Sequence, residues 1–125
     1  MAHILVGSQD DTLRGLLEVS LTRFDHFVRL AENGKDSIQL IQQDEFFDLA
    51  LFDQEMPDMT AKDVLTRLKE IRRSVPLVMI MCMELSAETM KEGVAAGASD
   101  FVVKPFNLPD LVIRIEGLLK SKNLL

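Results

Sequence analysis

Five short apolar runs recur along the chain at near-even spacing, at residues 4–7, 27–30, 49–52, 77–81 and 101–103. The stretches between them have a helical period. Leu13, Leu16, Leu17 and Leu21 fall on one stripe, Val64, Leu65, Leu68 and Ile71 on another, and Leu108, Leu111, Val112, Ile115, Leu118 and Leu119 on a third. Apolar residues three or four apart share one face of a helix. Residues 35–43 and 87–96 read as weaker helices, the latter carrying Gly93. The first, third and fourth runs are almost continuously apolar, the pattern of strands covered on both faces. Five such strand–helix units predict a single α/β domain over residues 1–125, with a doubly wound parallel sheet between two helix layers.

Local start signals agree. Thr60 and Asp63 have the spacing of a capping box, in which each residue's side chain accepts from the other's backbone N–H. Ser86 can cap the fourth helix. Asn107, with Pro109 and Asp110 in the first turn, can open the fifth.

Charge and composition narrow the functions open to such a domain. A net charge of -6 argues against non-specific nucleic-acid binding, which needs a basic face. The densest basic cluster, Arg72-Arg73, is too short for a polybasic signal. Cys82, the one cysteine, permits no internal disulfide and fits a reducing compartment. No basic, apolar leader opens the sequence, and no apolar run is long enough to span a bilayer. A cytoplasmic domain that touches neither nucleic acid nor membrane is the expectation.

The third run ends on a carboxylate, Asp53, with a turn directly after it. In open α/β sheets the functional crevice lies beyond the carboxyl ends of the strands. Ser8 and Gln9 follow the first strand, Met81 and Cys82 end the fourth, and Lys104 ends the fifth, so these residues should meet Asp53 at one edge. Aspartate is also common in turns, and position alone does not separate a site from a turn cap. Lys104 arriving at the same edge favours a site, because a lysine there can pair with a partly desolvated carboxylate.

Two segments about 50 residues apart carry a family resemblance: "DLALFDQEMPDMT" around the third strand and "AAGASDFVVKPF" around the fifth. With "HILV", "VPLVMIM" and the amphipathic last helix, the chain resembles a response-regulator receiver domain along nearly its whole length. The resemblance implies a flavodoxin-like, CheY-like fold with strand order 2-1-3-4-5 and five helices. It implies a phosphoacceptor position at Asp53, a phosphoryl-contacting lysine at Lys104, and a switch aromatic at Phe101. It also implies a histidine kinase as partner, with a fused output domain as another candidate. The fourth helix, fifth strand and last helix would form the partner surface, including a homodimer through residues 86–120.

The departures from the family are specific. Receivers place two acids after the first strand, where they bring Mg2+ beside the phosphoacceptor. Here those positions fall on Ser8 and Gln9, with Asp10 and Asp11 directly after them. An alternative register, with a longer first strand, would slide Asp10 and Asp11 into the role. A hydroxyl residue normally ends the fourth strand. Counting from Pro76 puts Met81 there, and counting back from Lys104 puts Cys82 there. Thr60-Ala61 stands where the family often has Asp-Gly.

Mg2+ prefers an octahedron of oxygens, commonly one or two carboxylates plus water and phosphate. With Ser8 and Gln9 neutral, Asp53 is the one assured carboxylate, and Asp10 and Glu55 are the candidates for residual ligands. A unit charge about 4 Å away is worth about 4 kcal/mol at an effective dielectric near 20, so losing these acids should weaken Mg2+ binding or abolish it. It should also leave an Asp53–Lys104 pair that is stable without metal.

Other residues invite functional readings that a structural one outweighs. Met79, Met81 and Met83 alternate along one strand face, where methionine fills core gaps; soft-metal ligation is the competing reading. His3 and His26 have no partner at metal spacing and read as surface or strand-edge residues. Cys82 reads as a buried small hydrophobe. "EGVAAGA" sits late in a helical segment and is no phosphate loop.

Three functions stay open. One is an ordinary phosphorylatable receiver, with Asp10, Asp11 or Glu55 standing in as metal ligands. Another is a pseudo-receiver acting mainly through protein–protein interaction. The third is an aspartate-nucleophile phosphatase, which would normally show Asp-x-Asp where this chain has Asp53-Gln54-Glu55. The non-enzymatic signalling readings are preferred.

Overall fold

A computed structural model describes residues 1–43, 46–71 and 75–124; the Arg72-Arg73 pair lies outside the described residues. The elements follow in strict alternation. They are β1 (His3–Gly7), α1 (Asp11–Thr22), β2 (Phe27–Ala31), α2 (Gly34–Gln42), β3 (Leu49–Asp53), α3 (Ala61–Ile71), β4 (Leu77–Cys82), α4 (Ala87–Ala96), β5 (Asp100–Val103) and α5 (Leu108–Ser121). The pairings between these strands are parallel, and the strand order is β2-β1-β3-β4-β5.

Strand alternation sorts the core into two clusters. Leu5, Ala50, Phe52, Val78, Ile80 and Phe101 face one side, under α2, α3 and α4. Ile4, Val6, Leu51, Met79, Met81 and Val102 face the other, under α1 and α5. Residues that pair across strands share a face. The register Gly7↔Phe52, Asp53↔Met81 and Cys82↔Val103 therefore fixes which side chains can meet at the top of the sheet. β3, in the middle, is buried at every position, as its unbroken apolar run requires.

The helix starts form as their sequences dictate. Thr60 Oγ1 accepts from the Asp63 N–H and Asp63 Oδ2 from the Thr60 N–H, both at 3.1 Å, a reciprocal capping box. Asp10, Asn33, Ser86 and Asn107 each accept from the N–H three residues on. Gly97, at φ +112°, ends α4 in the left-handed conformation.

Three expectations about individual side chains are corrected. Leu16 is 48% exposed, because the buried stripe of α1 runs through Leu17 and Leu21. Met83 is 72% exposed, because β4 ends at Cys82 and the alternation that buries Met79 and Met81 ends with it. His26 is buried, not at the surface. Its Nδ1 accepts from the Ala2 N–H at 3.1 Å, and its Nε2 lies 3.5 Å from Glu116 Oε2 on α5.

Candidate functional site

The carboxyl ends of β1, β3, β4 and β5 open onto a cavity of about 390 Å³ lined by Gln9, Asp10, Asp53, Gln54, Glu55, Met81, Cys82, Met83 and Lys104. Asp53 is the last residue of β3 and is 6% exposed. Both of its carboxylate oxygens are engaged by the chain itself. The Ser8 hydroxyl donates to Oδ2. The Lys104 ammonium forms an ion pair with Oδ1, which has no aligned hydrogen bond among the described residues.

Ser8 is fixed from several directions. Its N–H donates to the Ala31 carbonyl at 3.0 Å, continuing the β1–β2 ladder one step past the strand. Its Oγ accepts from the Asp10 N–H at 3.1 Å while donating to Asp53. The buried Arg14 guanidinium donates to its carbonyl. The hydroxyl thus uses its single donor on Asp53 and an acceptor position on the start of α1. Lys104 is held likewise, its N–H donating to the Cys82 carbonyl at 2.8 Å.

β1 ends at Gly7, so Ser8 and Gln9 directly follow the strand. Asp10 is the N-cap of α1, with Oδ1 accepting from the Leu13 N–H at 3.1 Å, and it also reaches the cavity wall. Asp11, one residue on, points into solvent and pairs with Arg14. Glu55 is exposed at the cavity rim. The longer first strand, which would have carried Asp10 and Asp11 to the positions of Ser8 and Gln9, does not form.

Met81 and Cys82 both line the cavity, on opposite faces of the sheet. Met81 pairs with Asp53 across β3 and β4 and packs in the α1/α5 core. Cys82 turns to the face of Ile80 and Phe101, its Sγ 3.5 Å from the Val102 carbonyl. Burial pushes its thiol up, and the nearby Lys104 charge offsets only part of that. Phe101 is 6% exposed, so its ring lies inward against α4.

Two further anchors had no signal in the sequence. The Asp58 carboxylate accepts from the Gly34 N–H at 2.9 Å and the Lys35 N–H at 2.8 Å, tying the β3–α3 loop to the start of α2. Burial pushes that carboxyl up, but those N–H donors and two in its own loop outweigh it and hold it below the ordinary range. Asp100 and Arg114 form a two-bond pair, each bond 2.7 Å, linking β5 to α5. Burial alone would raise the Asp100 carboxyl, but Arg114 and the Phe101 N–H hold it down; the bonds to Asp100 in turn raise Arg114.

The model of the response regulator receiver domain matches residues 4–116. The chain belongs to that family. Receiver domains are signalling domains of two-component systems. The transcriptional regulatory protein SrrA of Staphylococcus aureus is 31% identical over 119 residues, which is 94% of this chain and 48% of SrrA. The chain thus spans about half the length of the curated relatives it matches. Among solved structures, a CheY-like receiver domain protein from Methanospirillum hungatei JF-1 superposes with a TM-score of 0.89 at 26% identity, covering 98% of this chain and 97% of that one. The chemotaxis protein CheY4 of Vibrio cholerae superposes with a TM-score of 0.87 at 26% identity, covering 95% and 99%. The flavodoxin-like order and five helices of this receiver domain are those expected from its sequence.

Proposed function

We propose that this receiver domain holds its phosphoacceptor-position residue, Asp53, in one resting state and signals mainly through protein–protein contact. The observation that carries this reading is the double engagement of the Asp53 carboxylate by Ser8 and Lys104. The donor set suits Mg2+ poorly. Ser8 and Gln9 bring no charge, and Asp10 already uses Oδ1 to cap α1. Among the described residues no three of His, Cys, Asp and Glu converge at metal spacing. Phosphoryl transfer to a carboxylate depends on cations that neutralise the transferred oxygens, and among the described residues lining the cavity Lys104 is the one cation.

The surface for partners is α4, β5 and α5, where Met90, Val94, Val103 and Ile113 are exposed. A histidine kinase, a fused output domain, or a second copy meeting it through residues 86–120 are the partner classes. The half-length match to SrrA supports an output domain among them. The domain would act in the cytoplasm; among the described residues no helix is long and apolar enough to cross a membrane.

Labelling with acetyl phosphate, with and without Mg2+, tests this reading. Slow, substoichiometric labelling that is lost in Asp53→Asn is the expected result. Rapid, stoichiometric, Mg2+-dependent labelling would overturn it in favour of an ordinary phosphorylatable receiver. That second reading draws on one observation, that Asp10 and Glu55 line the same cavity as Asp53.

A further inference from the structure

Gly93 is the seventh residue of the ten-residue helix α4, where alanine would sacrifice less backbone freedom. Its backbone does not require glycine, since the left-handed position in this helix belongs to Gly97. Space does require it. A Cβ at Gly93 would lie 2.5 Å from Cζ and 2.7 Å from Cε1 of the Phe101 ring, with Ile80 Cδ1 at 3.7 Å behind. Those first two distances are well inside the separation that non-bonded carbons tolerate. Gly15 and Gly117, in α1 and α5, would meet nothing within 4 Å, whereas Gly34, which opens α2, would meet the Met59 side chain; Gly93 is the helical glycine whose missing Cβ leaves room for Phe101.

We propose that Gly93 is the positioning residue that lets Phe101 lie inward, through a ring-shaped recess that only a residue without a side chain leaves in α4. The recess substitutes for a hydroxyl on β4. Met81 has no proton to donate to a phosphoryl oxygen and the Cys82 thiol is only a weak donor, already directed at the Val102 carbonyl, so packing against α4 and Ile80 fixes the ring. A ring that left the recess would emerge on the surface formed by α4 and β5, beside the exposed Val94 and Val103. The consequence for signalling rests on reading Phe101 as the switch aromatic; the packing does not.

The test is Gly93→Ala, alone and in a Phe101→Ala background, followed by NOEs between the Phe101 ring and the Ile80 methyl groups and by Tm. In the natural background the Phe101–Ile80 NOEs should disappear and Tm should not rise. With Phe101→Ala the same substitution should raise Tm by about 3–6 °C, because only helix propensity remains. If Gly93→Ala alone is too unstable to study, a folded double variant at least as stable as Phe101→Ala still supports the proposal. Retained NOEs in Gly93→Ala, or an equal change in Tm in both backgrounds, would overturn it. Neither readout involves a phosphoryl group or metal, so the outcome is independent of the acetyl phosphate result.

Discussion

Ser8 stands directly across the β1–β3 boundary from Asp53 and gives the carboxylate its hydroxyl proton as a hydrogen bond. A neutral donor occupies a position where the family resemblance expects an acid. Ser8→Ala should therefore destabilise the domain, leaving the buried Asp53 Oδ2 and the part-buried Asp10 N–H without their partner. The cost should be about 2–3 kcal/mol, read from urea unfolding at pH 7.

Returning acids to the site should have two opposed effects. Ser8→Asp with Gln9→Asp should raise Mg2+ affinity and acetyl phosphate labelling at Asp53. Without metal, three carboxylates would crowd one lysine, lowering Tm and raising at least one carboxyl pKa. Tm measured with and without millimolar Mg2+ separates the effects: the variant should gain from Mg2+ while the natural protein gains little.

Asp53 and Lys104 should be energetically coupled. Lys104→Met leaves Asp53 Oδ1 uncompensated and should cost about 1–3 kcal/mol. Asp53→Asn in the same chain should recover part of that loss, because the uncompensated charge is gone. Additive losses in the double-mutant cycle would show that solvent already screens the pair.

The two cavity residues of β4 should differ in their tolerance of a hydroxyl. Met81→Thr places a polar, smaller side chain in the α1/α5 core and should cost about 2–4 kcal/mol. Cys82→Thr replaces a thiol at the cavity wall and should cost less than half as much. Urea unfolding of the two variants checks the order.

Stability should fall on the acid side in two steps with the same sign. Burial holds His26 below its ordinary pKa, with Glu116 opposing that, the N-terminal ammonium adding to it and Asp25 opposing. The unfolded imidazole therefore takes up its proton first, near pH 6.5, and stability declines as pH falls through that value, by at most about 1.4 kcal/mol per pH unit. Asp58 and Asp100 are held below the ordinary range, so their contribution is complete above about pH 4 and is lost as pH falls through their lower folded values. His26→Gln should remove the first step and leave the second, as read from Tm between pH 8 and 3.

The meeting of Asp53 and Lys104 was legible because each ends an apolar run, and parallel strands deliver their ends to one edge. The two cores were legible for the same reason, since strand alternation and helical stripes need only local spacing. What Ser8 does there was not legible. A serine after a strand has no periodic signature, and its bond to Asp53 spans 45 residues of sequence. His26 was misjudged because nothing local reveals that α5 will cover it. Gly93 looked like a flaw in a weak helix until the Phe101 ring filled the place of its absent side chain.

Strand order separates the two partners of Asp53. Ser8 follows β1, which is flanked by β2 and β3, whereas Lys104 follows β5, which has a neighbour on one side only. Backbone amides at the edge of a sheet open to solvent more readily than those in its middle. In deuterium exchange, the Lys104 amide, bonded to the Cys82 carbonyl, should become labelled well before the Phe52 and Asp53 amides. An opening wide enough to carry the Lys104 side chain away would take the cation from the carboxylate and leave its hydroxyl partner in place. Such an opening would give the pocket a second, briefly visited electrostatic state, Asp53 without its counter-charge, even if no phosphoryl group ever arrives.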